Sequence, residues 1–298
     1  MSGDAVIRAA ELRSGKSHRD ENFPVASRLI QRRHRPAILA FYNFVRTADD
    51  VADHAALPPA EKLALLDGLE ATLLGRDDAE PDGVALRIQL AERGLSPRHA
   101  QDLLTAFRLD VTKRRYGDWD DLMNYCRYSA MPVGRFVLDL HQQPPGTWLA
   151  SDPLCAALQV INHLQDCAAD YRDLDRVYIP LDAFTAAGLT PEILGSAAAP
   201  EALRRAIRGL AERTAGLLRD AARLPVQVDD MRLGLEIAII LRLAWTLTQR
   251  LKRRDPLSER VHLGAGGFAG VTLLGLAQGG FRRLIFPRRL APSTGQVR

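Results

Sequence analysis

The chain has 298 residues, 47% hydrophobic and 26% charged, which excludes a disordered or low-complexity polypeptide and leaves room for a sizeable core. Forty basic residues against 36 acidic give a formal net charge of +4, too small a surplus to indicate nucleic acid as a partner. Aromatic residues make up only 6%, while alanine, leucine and arginine recur, a mix that favours helices because these side chains lose little freedom on entering one.

In chain order, residues 1–17 read as a tail without the apolar run of a secretory signal, so a cytoplasmic location is expected. A short helix is expected over 24–31, broken by Arg32-Arg33-His34-Arg35. Pro36 suits a first helical turn, and the next helix runs over 36–54. Helical periodicity continues over 59–74, 82–93, 97–114, 118–127, 130–141, 153–172, 200–223 and 229–253. Ser96-Pro97 and Thr190-Pro191-Glu192 are helix-start signals, and Asp229-Asp230 reads as a cap pair rather than a metal motif. The breaks between these segments are too short to separate domains. No run alternates convincingly as a strand; 176–180 comes nearest. The expectation is an all-α chain with one domain over 18–286 and a flexible tail at 287–298.

The segment 262–290 is glycine-rich and apolar, with arginines at 282, 283, 288 and 289. Gly264 to Ala269 matches a GxGxxA pattern, but a helix precedes it and the residues about 20 positions on are basic, so no nicotinamide site is expected. It lacks the roughly 18 consecutive apolar residues needed to cross a bilayer. Two readings stay open for 268–290: a last core helix with a frayed tail, or a peripheral contact with the inner face of an anionic membrane. Three cysteines without metal or CxxC spacing fit free thiols.

Two helices carry carboxylates one turn apart. In 36–54, Tyr42, Arg46, Asp49/Asp50 and Asp53 fall along one stripe; in 153–172, Gln159, Asn162, Asp166 and Asp170 do the same. A single such stripe is usually a solvated face. Here each lies in a segment apolar enough for the core, and two facing stripes would repel one another unless a cation lay between them. Oxygen ligands of this kind suit Mg²⁺ or Mn²⁺, and Mg²⁺ bridging two carboxylate stripes makes a diphosphate clamp. Removing one of the carboxylates is expected to relieve repulsion at little cost in stability. His163 reads as an ordinary hydrogen-bonded helix histidine, and Lys113-Arg114-Arg115 as a solvated basic run.

The blocks FYNFVRTADDVAD (41–53), YCRYSAMPVG (125–134) and LQVINHLQDCAADYRDLDRVYIP (158–180) resemble, in order and spacing, the motifs of the squalene/phytoene synthase family. The resemblance covers roughly 18–262 and implies an isoprenoid-synthase-like helical bundle around a central cavity. It implies that Asp49, Asp53, Asn162, Asp166 and Asp170 hold Mg²⁺, and that Asp50, Gln159, Tyr178 and Arg46 bind the substrate's diphosphate end. It also implies catalytic roles for Tyr125, Arg46 and Tyr42. Phe41, Phe44 and Tyr128 join the tyrosines as candidate cation-stabilising rings.

DENFPVAS (20–27) and the proline in YCRYSAMPVG are similar to the family branch that converts presqualene diphosphate to hydroxysqualene in hopanoid synthesis. The second motif departs from the family's Arg-Asp-x-Gly-Glu-Asp, reading Gln165-Asp166-Cys167-Ala168-Ala169-Asp170. That departure fits an enzyme taking a preformed intermediate. The alternative is head-to-head condensation of two prenyl diphosphates.

Overall fold

The computed structural model describes residues 9–12 and 30–285. These form twelve α-helices: α1 (Arg35–Asp53), α2 (Pro59–Leu73), α3 (Pro81–Ala91), α4 (Arg98–Thr112), α5 (Trp119–Ser129), α6 (Met131–Leu140), α7 (Trp148–Leu174), α8 (Leu181–Ala186), α9 (Glu201–Asp220), α10 (Leu224–Gln227), α11 (Met231–Leu251) and α12 (Ala265–Ile285). Among the described residues there is no strand. The segment 176–180 makes an isolated bridge between Arg115 and Val177, which ties the end of α7 to the chain after α4. The helix expected over 24–31, the DENFPVAS segment and the terminal tails lie wholly or mostly outside the described residues.

Local chemistry sets the boundaries. Prolines occupy the first turns of α1, α2, α3 and α6, where a missing N–H costs nothing. Asp118 caps α5 by accepting from Asp121 N, and Asp230 caps α11 by accepting from the amides of Arg232 and Leu233. Asp230 thus takes the capping role expected of the Asp229-Asp230 pair. The one large departure is α7, which starts at Trp148, five residues before the expected 153, and carries Pro153 inside it. Tertiary contacts override the proline there. Trp148 Nε1 donates to Asp139 at 3.2 Å, and Arg135 grips Asp152 through two hydrogen bonds of 2.8 and 2.6 Å.

Two apolar clusters form the core. One joins α1 to α4 and α6 through residues such as Phe44, Leu66, Leu69, Leu86 and Leu104. The other joins α5 and α7 to α11 through Leu122, Ile161, Phe184, Leu203 and Leu247. The helices α6 and α7 come so close that a Cβ on Gly134 would stand 2.5 Å from Cys155 Sγ and from Ser151 Oγ. The free thiols Cys126 and Cys167 are buried and Cys155 is partly so. The glycine-rich C-terminal segment folds as α12 against α11; a Cβ on Gly279 would meet Ala238 Cβ at 2.7 Å.

Candidate active site

A cavity of about 530 Å³ lies where the two apolar clusters meet, walled by α1, α4 to α7, α11 and the segment after α7. Two of its walls change character in step. Along α1 the lining runs from Ile38, Phe41 and Val45 to Asp49 and Asp53; along α7 it runs from Leu154 and Leu158 to Asn162, Asp166 and Asp170. Both helices therefore bring their C-terminal ends, the negative poles of their dipoles, to the carboxylate side of the cavity. The remaining wall, with Phe107, Phe136, Leu224, Leu233 and Ile237, is hydrocarbon apart from Glu236.

Tyr42, Arg46, Asp49, Asp53, Tyr125, Gln159, Asn162, Asp166, Asp170 and Tyr178 all line this one cavity. Asp50 does not. It sits about 100° round the helix from Asp49 and is buried, accepting from Arg46 Nη2 at 2.6 Å. Its structural place is therefore to hold Arg46, where direct contact with diphosphate had been expected. Arg46 also donates to Asp49 at 2.8 Å, so one guanidinium orients both neighbouring aspartates. Phe44 is fully buried and, like Tyr128, does not line the cavity, whereas Phe41 does.

The carboxylates are crowded and short of countercharge. Burial first, and then Asp53, pushes the Asp49 carboxyl above its ordinary range. Burial, Asp166 and Asp53 together raise Asp170 to about 7. No three His, Cys, Asp or Glu side chains among the described residues already converge as a metal cage. Mg²⁺ does not need one, since it keeps several waters and takes one or two carboxylates plus phosphate oxygens. A hard divalent cation therefore fits the donor set: all-oxygen ligands, like charges in excess, and two negative helix ends.

Several site residues were not anticipated. Arg176, 6% exposed, follows α7 and donates to Asp53 at 2.5 Å and to the backbone oxygens of Ala52 and Asp110. It thereby closes the C-terminal end of α1. Asp110 is buried and accepts from the hydroxyls of Tyr125 at 2.8 Å and Tyr178 at 3.0 Å. Burial raises it to about 6 against the opposing pull of Arg176. The signal for Asp110 was a carboxylate at helical spacing from Leu103, Ala106 and Phe107. His163 hydrogen-bonds Gln159 at 3.1 Å, as an ordinary helix histidine would, but it also lines the cavity and stacks on Tyr178 with ring centroids 3.5 Å apart. Burial and then Arg176 lower it to about 3, so the imidazole is neutral.

Glu236 is a buried carboxylate on the cavity wall among Leu233, Ile237 and Ile240. At the motif departure, Gln165 is buried and its amide atoms have no hydrogen-bond partner among the described residues. Lys113, Arg114 and Arg115 stay at the surface, paired with Asp121 and Asp175.

The family model for squalene/phytoene synthase matches residues 16–266. The hydroxysqualene synthase of Rhodopseudomonas palustris is 61% identical over 87% of this chain and 88% of its own length. That of Zymomonas mobilis is 51% identical over 86% and 87%. Among solved structures, a squalene synthase from Alicyclobacillus acidocaldarius matches with a TM-score of 0.67 at 28% identity, covering 91% of this chain and 93% of the other. On the sequence blocks, the cavity they build and these likenesses, the chain belongs to the squalene/phytoene synthase family.

Proposed function

We propose that the chain converts presqualene diphosphate and water into hydroxysqualene and inorganic diphosphate, with Mg²⁺ or Mn²⁺ as its cofactor and no nicotinamide. The observation that carries this reading is the graded cavity, whose walls pass from hydrocarbon to carboxylate along α1 and α7 together. The relatives named hydroxysqualene synthase, 51% to 61% identical over most of their length, support the choice of product.

In this reading Asp49 and Asp53 on α1 and Asn162, Asp166 and Asp170 on α7 would hold the cation, which would supply positive charge for a departing diphosphate. Arg46 keeps Asp49 turned to the cavity, and Gln159 lies one turn before the Asn162 to Asp170 stripe. The hydrocarbon wall accommodates the isoprenoid chains and keeps stray water from the cyclopropylcarbinyl cation. Tyr125 and Tyr178, fixed through their hydroxyls on Asp110, line the cavity as electron-rich rings toward which positive charge is drawn, with Tyr178 stacked on His163. One water then adds to the cation, its oxygen becoming the product hydroxyl and its proton leaving with the diphosphate or solvent. A hydrocarbon substrate and product suit peripheral contact of α12 with the cytoplasmic face of a membrane.

The test is incubation of the full chain with Mg²⁺ and presqualene diphosphate in ¹⁸O-labelled water, without nucleotide. The expected product is hydroxysqualene carrying the label. Squalene as main product, a requirement for NADPH, or an unlabelled hydroxyl overturns the reading, and an efficient reaction from farnesyl diphosphate alone identifies a condensing enzyme instead.

A further inference from the structure

A second concavity, about 820 Å³, runs along the face of α11 turned away from the catalytic cavity. Arg219 of α9 and Arg242, Arg250, Arg253 and Arg254 of α11 and the turn after it line it, with Trp245 between them. No carboxylate is part of its lining. Among the described residues, Arg250 and Arg254 hydrogen-bond only backbone carbonyls, those of Val261, His262 and Arg260. Elsewhere Arg108, Arg114, Arg115 and Arg135 each grip an aspartate. Five guanidinium groups along one groove, without carboxylate partners among the described residues, are complementary to phosphate.

The shape narrows the choice of phosphate. From Arg242 to Arg250 the helix advances about 12 Å, further than one phosphate group reaches. Of α12, Gly279 lines the groove, and the same helix exposes Leu273 at 68% and Leu274 at 51%. A free anion has no use for such neighbours, whereas a bilayer surface offers a row of phosphates over hydrocarbon. No described helix is long and apolar enough to cross a membrane, so α12 can lie on the bilayer but not span it.

We propose that the groove between α9, α11 and α12 binds the phosphodiester headgroups of an anionic bilayer, with Leu273 and Leu274 entering the acyl boundary. This rests on the membrane contact proposed above and is independent of the reaction. Both sites share α11: Leu233, Ile237 and Ile240 face the cavity, and Arg242, Trp245 and Arg250 face the groove. Docking through the groove therefore sets the cavity one helix width from the lipid.

The experiment is co-sedimentation of the full chain with phosphatidylglycerol or phosphatidylcholine vesicles over a salt series. Wild type should bind the anionic vesicles and release with salt. The double variant Arg219→Gln/Arg253→Gln, at two exposed positions, should bind them about 30-fold more weakly. Leu273→Ser/Leu274→Ser should weaken binding while keeping its salt dependence. Both variants should release diphosphate from detergent-dispersed presqualene diphosphate at the wild-type rate. Equal binding to the two vesicle types, unchanged binding by the arginine variant, or displacement by millimolar inorganic diphosphate overturns the proposal; the last result marks a site for free phosphate. Absence of hydroxysqualene would overturn the catalytic reading and leave the vesicle result standing.

Discussion

Arg176 separates carboxylates that the sequence treats alike. Asp53 pairs with it at 2.5 Å, whereas Asp166 is 44% exposed in its side chain and lies 3.5 Å from the His262 imidazole. Asp166→Asn is expected to lower turnover by orders of magnitude with an unchanged melting temperature. Asp53→Ala is expected to lose turnover and also roughly 2 kcal/mol of stability, less than for a fully buried pair because Asp53 is a third exposed. Urea melts of the two variants check this difference, and equal stability would contradict the Arg176 pairing.

Asp110 has a pH signature of its own. Its carboxyl is raised from 3.8 to about 6 by burial, so the folded chain holds a proton there that the unfolded chain has already lost. The stability linked to that proton is fully present below pH 3.8 and is lost as pH rises toward 6. Asp110→Asn removes the dependence, so the stability difference between wild type and variant should change by roughly 3 kcal/mol across that window. Melts at several pH values measure it, and parallel curves would refute it.

Among elements, α6 and α7 are closely apposed, with Gly134 against Ser151 and Cys155. Gly134→Val must displace the Cys155 and Ser151 side chains and crowd α7, and should cost about 1–3 kcal/mol, with a loss of turnover because the same helix carries Asn162, Asp166 and Asp170. Wild-type turnover in this variant would show that α7 tolerates the shift. Most helix ends were legible in the sequence to within three residues, because first-turn prolines and aspartate caps act locally. The start of α7 was not: Pro153 is a local stop signal that Arg135 and Asp139 overrule from another helix. The acidic stripes were legible for the same periodic reason. Arg176, Asp110 and the inward turn of Asp50 were not, since each is defined by a partner distant in sequence or by a rotation of one residue.

For the molecule as a whole, the two apolar clusters meet at the cavity, and α1 and α7 belong to different ones. A ligand that bridges the acidic stripes therefore ties the halves of the core together. Mg²⁺ with inorganic diphosphate at about 100 times its dissociation constant should add about 2.7 kcal/mol and raise the melting temperature by several degrees. Mg²⁺ alone should do much less, because no ready-made cage of three side chains is present among the described residues. Calorimetry with each addition decides; an equal shift from Mg²⁺ alone would mean that the stripes close on the ion without phosphate.

The three thiols turn this architecture into its own clock. Burial pushes Cys126 and Cys167 up to about 12 and Cys155 to about 11, so at neutral pH almost none is in the thiolate form that alkylating reagents capture. Capture of Cys126 or Cys167 must wait for the helices around them to part, and its rate measures how often they do. Cys155 differs because it lines the catalytic cavity. A small apolar reagent reaches it through the same space as a hydrocarbon chain, and an occupied cavity shuts the reagent out. Its labelling rate therefore counts the molecules standing empty at any instant.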